Sequence, residues 1–475
     1  FFFFLLFVSC DQKSKVEKAI EETPVDVKVE RFDKQFFETP PKDLDKLKND
    51  RTFNTAGMFT DAFGNTRFYD NETDNYQQDH FQLHWNEKIA TNWNTNLAVF
   101  YSKGKGFYEN YKENAKFSGY GLTPIIIGGT TINKTDLIRQ KWLDNDFYGT
   151  TFSANYKDEK LDVILGGGYN KYEGSHFGKI IWARYASTSE LEDRYYNDAA
   201  SKTDGNIFAK ANYQVAEKLS LFADLQLRNV HYKANGAETG VVNANFNFFN
   251  PKAGLNLEIN ENNQLYASYA RANREPNRTD YKNGSPRPEK LNDFELGLRH
   301  VSTKVKVNAN MYYMAYKDQL ILTGELDDVG APIRKNSGDS YRLGLEIDAT
   351  VAVLNNLIIR PNVTISTNKN KDFFFKRDGV LTSLGNTNIA FSPGFIAGNI
   401  VSFVPMKNLQ ISFLSKFVGE QYMANIDAEG SKLKSYFTND LNVSYEIIPK
   451  SVFKSIYLSA LVSNIFDYKY ISNGY

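Results

Sequence analysis

Apolar and polar residues alternate along most of this 475-residue chain, and no run of 18 or more apolar residues interrupts the pattern. A period of two places alternate side chains on opposite faces of a strand. The second fact excludes a transmembrane helix, which needs about 20 consecutive apolar residues. Phe294-Glu295-Leu296-Gly297-Leu298-Arg299 sets apolar groups against charge and glycine. Leu441, Val443 and Tyr445 share one face while Asn442 and Ser444 take the other. Ile456, Leu458, Ala460 and Val462 oppose Tyr457, Ser459, Leu461 and Ser463. Composition matters here because aromatics reach 15% (36 Phe, 29 Tyr) while mean hydropathy is only −0.48. A wall with lipid on one side and a wet lumen on the other needs that pairing, since the average conceals the apolar half.

The connections alternate too. Short turns fit at Lys88–Asn92, Lys157–Lys160, Glu217-Lys218, Asn260–Asn263, Ser302–Lys304, Leu354–Asn356, Pro405–Lys407 and Ile448–Lys454. Between them lie polar segments at 102–138, 172–205, 233–244, 273–289, 324–339, 369–391 and 419–437, read as long loops. The pattern predicts roughly eight hairpins, or about 16 strands of ~10 residues each. The fold class is therefore all-β: a transmembrane antiparallel β-barrel with short turns at one end and long loops at the other. A soluble sandwich or propeller has no reason to keep long loops at one end, and a solenoid would show a fixed repeat. Tyr101, Tyr148, Tyr169, Tyr213, Tyr232, Tyr269, Tyr316, Phe417 and Tyr445 lie near strand ends and suit interfacial girdles. Aromatic β-propensity would also put them in strands.

Charge is balanced, with 56 basic and 56 acidic residues, which argues against a nucleic-acid partner. The lone cysteine, Cys10, excludes an internal disulfide and a cysteine-based metal cluster. Phe1 to Val8 has the length of a signal-peptide apolar region, and Phe7-Val8-Ser9-Cys10 resembles a lipobox with Cys10 as the lipid attachment site. Residues 1–10 are accordingly read as a partial lipoprotein signal, 11–50 as a charged leader, and 51–475 as the barrel. Phe7 to Thr39 (FVSCDQKSKVEKAIEETPVDVKVERFDKQFFET) is similar to the N-terminus of gliding-motility-type lipoproteins of the Bacteroidetes. A junction between two different proteins is expected near residues 49–52, with a genuine lipid-anchored leader as the alternative.

Four segments of the larger piece resemble Bacteroidetes TonB-dependent outer-membrane receptors. They are DNYQQDHFQLHWNEKIATNWNTNLAVFYSKGKGFYENYK from Asp74, NPKAGLNLEINENNQLYASYARANREPNRTDY from Asn250, PRPEKLNDFELGLRH from Pro286, and SYFTNDLNVSYEI with LSALVSNIFDYKYISNGY. The resemblance implies an energised importer in the cell outer membrane, with a ~22-stranded barrel around an N-terminal plug. It implies the TonB energising complex as a partner acting through that plug, and outer-membrane lipid and lipopolysaccharide around the wall. It further implies an extracellular small ligand, with iron–siderophore complexes favoured among ferric chelates, haem, cobalamin and glycans. With about 16 of ~22 strands, the barrel is expected to be incomplete, lacking the plug and the last strand. A passive outer-membrane pore and a lipid-anchored gliding-motility-type lipoprotein are the competing functions.

Enzyme chemistry finds no support. His80 and His84 lie in a strand pattern, where both project to one face, most simply the lumen, rather than form a helical metal-ligand pair. Gly104-Lys105-Gly106 and Gly166-Gly167-Gly168 are not phosphate loops, no catalytic triad spacing or nucleophile elbow occurs, and neither metal nor cofactor is expected. Arg271, Arg274, Arg278 and Arg287 gather around residues 271–288, with Glu275 and Asp280 between them. Arginine forks suit anionic iron chelates, while a charge-paired loop, or one facing lipopolysaccharide phosphates, would use the same residues. Tyr281, Phe107, Tyr108 and Tyr111 are candidates for lining the same ligand mouth, with Phe117 and Tyr120 nearby.

Overall fold

The computed structural model describes residues 58–472 apart from 62, 283, 327–331, 378–379 and 450–452. The expectations for Cys10 and for residues 1–50 fall outside the described residues. Sixteen strands in hairpin succession form one antiparallel sheet rolled into a barrel. They are β1 Asp74–Ala90, β2 Trp93–Lys116, β3 Lys134–Lys157, β4 Leu161–Ala183, β5 Arg194–Ala216, β6 Leu219–Gly236, β7 Gly240–Asn260 and β8 Asn263–Arg274. The second half is β9 Glu289–Val301, β10 Val305–Lys317, β11 Asp339–Leu354, β12 Leu357–Arg377, β13 Phe395–Met406, β14 Leu409–Val418, β15 Tyr436–Ile447 and β16 Ile456–Val462. A further strand, Val380–Asn388, pairs with the upper part of β12. Around the ring β16 stands next to β1, yet no residue register joins them among the described residues. Both are exposed along their whole length.

Cross-strand registers fix which side chains share a face. Leu97 stands opposite Phe152, Ile207 opposite Leu227, and Leu227 opposite Phe249. Farther round, Leu296 pairs with Met311, Met311 with Leu345, and Leu345 with Ile365. Ile207 is 58% exposed and Leu296 55%, so this set faces outward from the barrel rather than into a core. On the opposite parity Asn96 meets Ser153, Asn206 meets Arg228, Ser268 meets Glu295 and Asn310 meets Glu346. The inner surface is thus polar and the outer surface apolar, as a lipid-facing wall around a wet lumen requires. From Trp93 to Tyr101 the apolar stretch runs roughly 26 Å along the strand, or ~20 Å of height once tilted.

Of the nine girdle candidates, Tyr101, Tyr148, Tyr169, Tyr213, Tyr269, Phe417 and Tyr445 take the outward parity. Tyr232 and Tyr316 take the inward one, opposite Lys202 and Ser340. Aromatic character places a residue in a strand, and only the register says on which side of it.

Several inner rings lie flat across a glycine of the next strand. A Cβ at Gly297 would stand 2.2 Å from the Tyr266 ring, and one at Gly344 would stand 2.5 Å from the Tyr312 hydroxyl. Glycine there lets a large ring lie along the wall instead of filling the lumen. The Gly166-Gly167-Gly168 run is mid-strand in β4, with the Phe208 ring over Gly166.

Apart from Ile448–Lys454, which falls partly outside the described residues, the short turns fall where the sequence puts them, among them Thr91-Asn92, Glu217-Lys218 and Glu261-Asn262. The long loops are a correction. Strands β2 and β3 each run 24 residues, and β4 and β5 each run 23, instead of about 10. Most of 102–138, 172–205 and 233–244 is therefore ladder. Above the apolar band neither face stays consistently apolar, so alternation disappears, while main-chain pairing continues along the ladder.

Candidate functional site

The connection from β8 to β9 does not extend outward as a loop. It folds back into the lumen and lies against the inner wall of β5 and β6, two and three strands away. Glu275 is anchored first, accepting from Lys202 Nζ at 2.5 Å and from both terminal nitrogens of Arg228 at 2.8 and 2.9 Å. Arg228 also forks onto Asp204, with contacts of 2.6 to 3.1 Å. Burial works to raise the Glu275 carboxyl, but the hydrogen bonds from Arg228 and Lys202 outweigh it, and the group lies below the usual carboxylate range.

A one-turn helix, α1 Arg278–Lys282, carries the rest of the anchor. Arg278 donates to the buried Asp198 at 2.6 Å, and Lys282 pairs with Glu238 at 2.6 Å. The Tyr281 ring stacks on Tyr232 with centroids 5.4 Å apart, beside Ala200, Ala234 and Val242. Asp280, itself buried, accepts from Arg334 at 3.2 Å and so ties α1 to the Pro332–Asn336 strand. Each lumenal arginine here is thus oriented by a carboxylate, Arg228 by Asp204 and Glu275 and Arg278 by Asp198.

Against this geometry the sequence candidates divide. Arg278 and Tyr281 are in the lumen, within the anchored segment. Arg274 faces inward and pairs with Glu289 at 3.2 Å, while Arg287 pairs with Asp318 at 2.9 Å. Three of the four arginines are therefore held by separate carboxylates. Arg271 takes the outward parity, two residues beyond Tyr269. Tyr108 faces inward, opposite Lys141. Phe107 and Tyr111 face outward: Phe107 packs on Trp142 at 4.5 Å and Trp142 on Phe177 at 5.8 Å, while Tyr111 meets Phe59 at 4.5 Å. The eight residues do not line one mouth. Phe117 and Tyr120 belong to a packed cluster with Leu122, Leu137 and Ile180.

His80 and His84 share the inward parity, opposite Ser102 and Ala98. The His80 ring is 2.7 Å from Ser102 Oγ, and that of His84 is 3.1 Å from Gln82. The partners that organise the site, Asp198, Lys202, Asp204, Arg228, Tyr232 and Glu238, were missed by sequence reasoning. Asp198, Lys202 and Glu238 lie where neither face is apolar, whereas the alternation around Arg228 gives its inward parity but not the carboxylates it meets.

Residues 31–465 match the family described as TonB dependent receptor-like, beta-barrel. That match begins before residue 51, where composition places the start of the barrel. No curated protein sequence matches. Among solved structures, the siderophore receptor PiuA from Acinetobacter baumannii aligns at 15% identity and TM-score 0.62, covering 85% of this chain and 62% of that one. The ferric citrate transporter FecA aligns at 16% identity and TM-score 0.63, covering 91% and 61%. The copper transporter OprC aligns at 16% and 0.64, covering 84% and 61%. This chain therefore spans about three-fifths of the length of these proteins.

Proposed function

The chain belongs to the TonB-dependent receptor β-barrel family, and we propose on that premise that it is the wall of an energised outer-membrane uptake receptor for a ferric chelate. The observation that carries the reading is the two-faced wall, with exposed leucines and aromatics outside and asparagine, serine and charge inside. Such a surface is stable only with hydrocarbon around it and water within. The ferric-chelate class rests on neighbours named for siderophore, ferric-catecholate and ferric-citrate import. The TonB energising complex is the proposed partner, acting through a plug segment.

Within this reading the ligand mouth is the lumenal surface carrying Arg278, Tyr281 and Tyr232. Arg278, held by Asp198, and the Tyr281–Tyr232 stack fix the shape of that surface and leave its charged rim to face an anionic chelate. The test is uptake of radiolabelled ferric chelates by iron-starved cells with and without the full-length gene. Loss of uptake on deletion, and equal loss on collapse of the proton-motive force, is the expected result. Uptake that survives collapse would replace the receptor with a passive pore.

A further inference from the structure

Where α1 docks, one histidine stands among charges already weighted to the positive side. On the inward parity of β3, β4 and β5, Leu143 is opposite His176 and His176 is opposite Asp198. The buried Asp198 accepts the Ala237 N–H at 2.9 Å on one oxygen and Arg278 at 2.6 Å on the other. Glu238, in the connection from β6 to β7, meets Lys282 of α1 at 2.6 Å and Lys141 of β3 at 3.6 Å. Around His176 three cations, Arg278, Lys282 and Lys141, thus face two carboxylates, Asp198 and Glu238.

The groups farther out do not reverse that balance. Arg139, higher on β3, is turned to Asn110 and Tyr120. Lower on β5 and β6, Lys202 and Arg228 are matched by Glu275 and Asp204. Tyr172 on β4 and Tyr196 on β5 stay neutral, because burial pushes both phenols up. His176 itself lies well above the Tyr169 ring, outside the membrane-spanning part of β4. Burial first, then Arg278 and Lys282, hold its imidazole down to about 4, against an opposing pull from Glu238.

We propose that His176 is an acid release for the segment from Glu275 to Lys282. Neutral, the imidazole leaves Asp198 dependent on Arg278 for its counter-charge. Protonated, it stands directly across the ladder from Asp198, within reach of that carboxylate, and supplies the positive charge itself. Arg278 then becomes redundant and, with Lys282, is repelled, so α1 leaves the wall. The docked state holds the imidazole below its ordinary 6.5, so release takes up a proton. Docking is at full strength above about pH 6.5 and weakens as pH falls toward about 4. This surface is the ligand mouth proposed above, so acid would dismantle the mouth while the wall persists; that consequence alone rests on the receptor reading.

The experiment is hydrogen exchange of the full-length gene product in detergent, read by mass spectrometry and corrected for the intrinsic pH dependence of exchange. In the parent, protection of residues 275–288 should fall about tenfold between about pH 7.5 and about pH 5.5, while β4 and β5 stay protected. H176Q keeps a polar side chain but cannot take up the proton, and should show no fall over that interval. It should keep the later loss below about pH 4, where Glu275 titrates. H80Q, at an inward histidine of β1, should behave as the parent does. A parent flat across the interval would overturn the proposal whatever the variants do. A fall retained in H176Q, shown to be folded by heat-modifiable migration, would assign the acid response to another group and overturn it too. Exchange needs no ligand, so a passive pore would leave the release standing and remove only the mouth.

Discussion

The barrel has a tall arc and a low arc. Strands β2 to β5 run 23 or 24 residues and rise far above the apolar band, whereas β8, β9 and β10 run 12 or 13 and stop just beyond it. On the tall arc the extracellular surface is ladder, held by main-chain pairs and self-neutralised outside by Lys103, Asp144 and Asp146. On the low arc it is irregular chain that must find its partners elsewhere. One piece, from Glu275 to Lys282, finds them on the inner wall of β5, at the edge of the tall arc, and of β6 and its connection. Another is organised around Asn425, whose amide donates to the Leu322 carbonyl at 2.6 Å and whose oxygen accepts from the Ala390 N–H at 2.8 Å. Chain that leaves the ladder must satisfy its polar groups by tertiary contact, whereas chain that stays in it does so locally.

The sharpest way to break this contrast is Glu275→Ala. It removes the carboxylate that Lys202 and Arg228 share and leaves two cations half-buried against the wall. A cost of about 3–5 kcal/mol to docking of the segment is expected, read as rapid proteolysis or hydrogen exchange of residues 275–288 while the ladder stays protected. Acid should act in the same direction. Because Glu275 is held below its ordinary range, its contribution is fully present above the unfolded-state value of roughly 4.3 and is lost as pH falls through its lower folded value. Exchange of this segment should therefore accelerate below about pH 4 in the parent and show no such step in the variant.

A smaller effect probes what the two arcs have in common. Leu296→Arg on the low arc and Ile207→Arg on the tall arc put charge on the lipid face. Each should cost about 2–4 kcal/mol in unfolding from lipid vesicles. Unequal costs would mean that the band is not continuous around the barrel. The smallest expected effect is on the tall arc's own outer strip: Lys103→Gln breaks half-exposed ion pairs and should change stability by less than about 1 kcal/mol.

Much of the wall was legible from sequence. Side chains at Leu296 and Leu298 face lipid and Glu295 faces the lumen because a strand has only two sides, and short turns such as Glu217-Lys218 fix where each pair of strands reverses. The extensions were not legible. From Lys103 to Lys116 and from Arg194 to Thr203 no face is apolar, so ladder and loop look alike in one dimension. The site was legible only in fragments. Arg278 and Arg287 were read as neighbours because they are close in sequence, yet Asp198 holds one and Asp318 the other.

By itself, then, the sequence determined a two-faced antiparallel wall and the order of its hairpins, because solvent and lipid act on every second residue and leave a periodic trace. Only the tertiary structure decided that β2 to β5 continue above the band, that Glu275 to Lys282 turns inward, and which carboxylate each cation meets. Those outcomes depend on pairings between strands distant along the chain, and such pairings impose no period on the residues that make them.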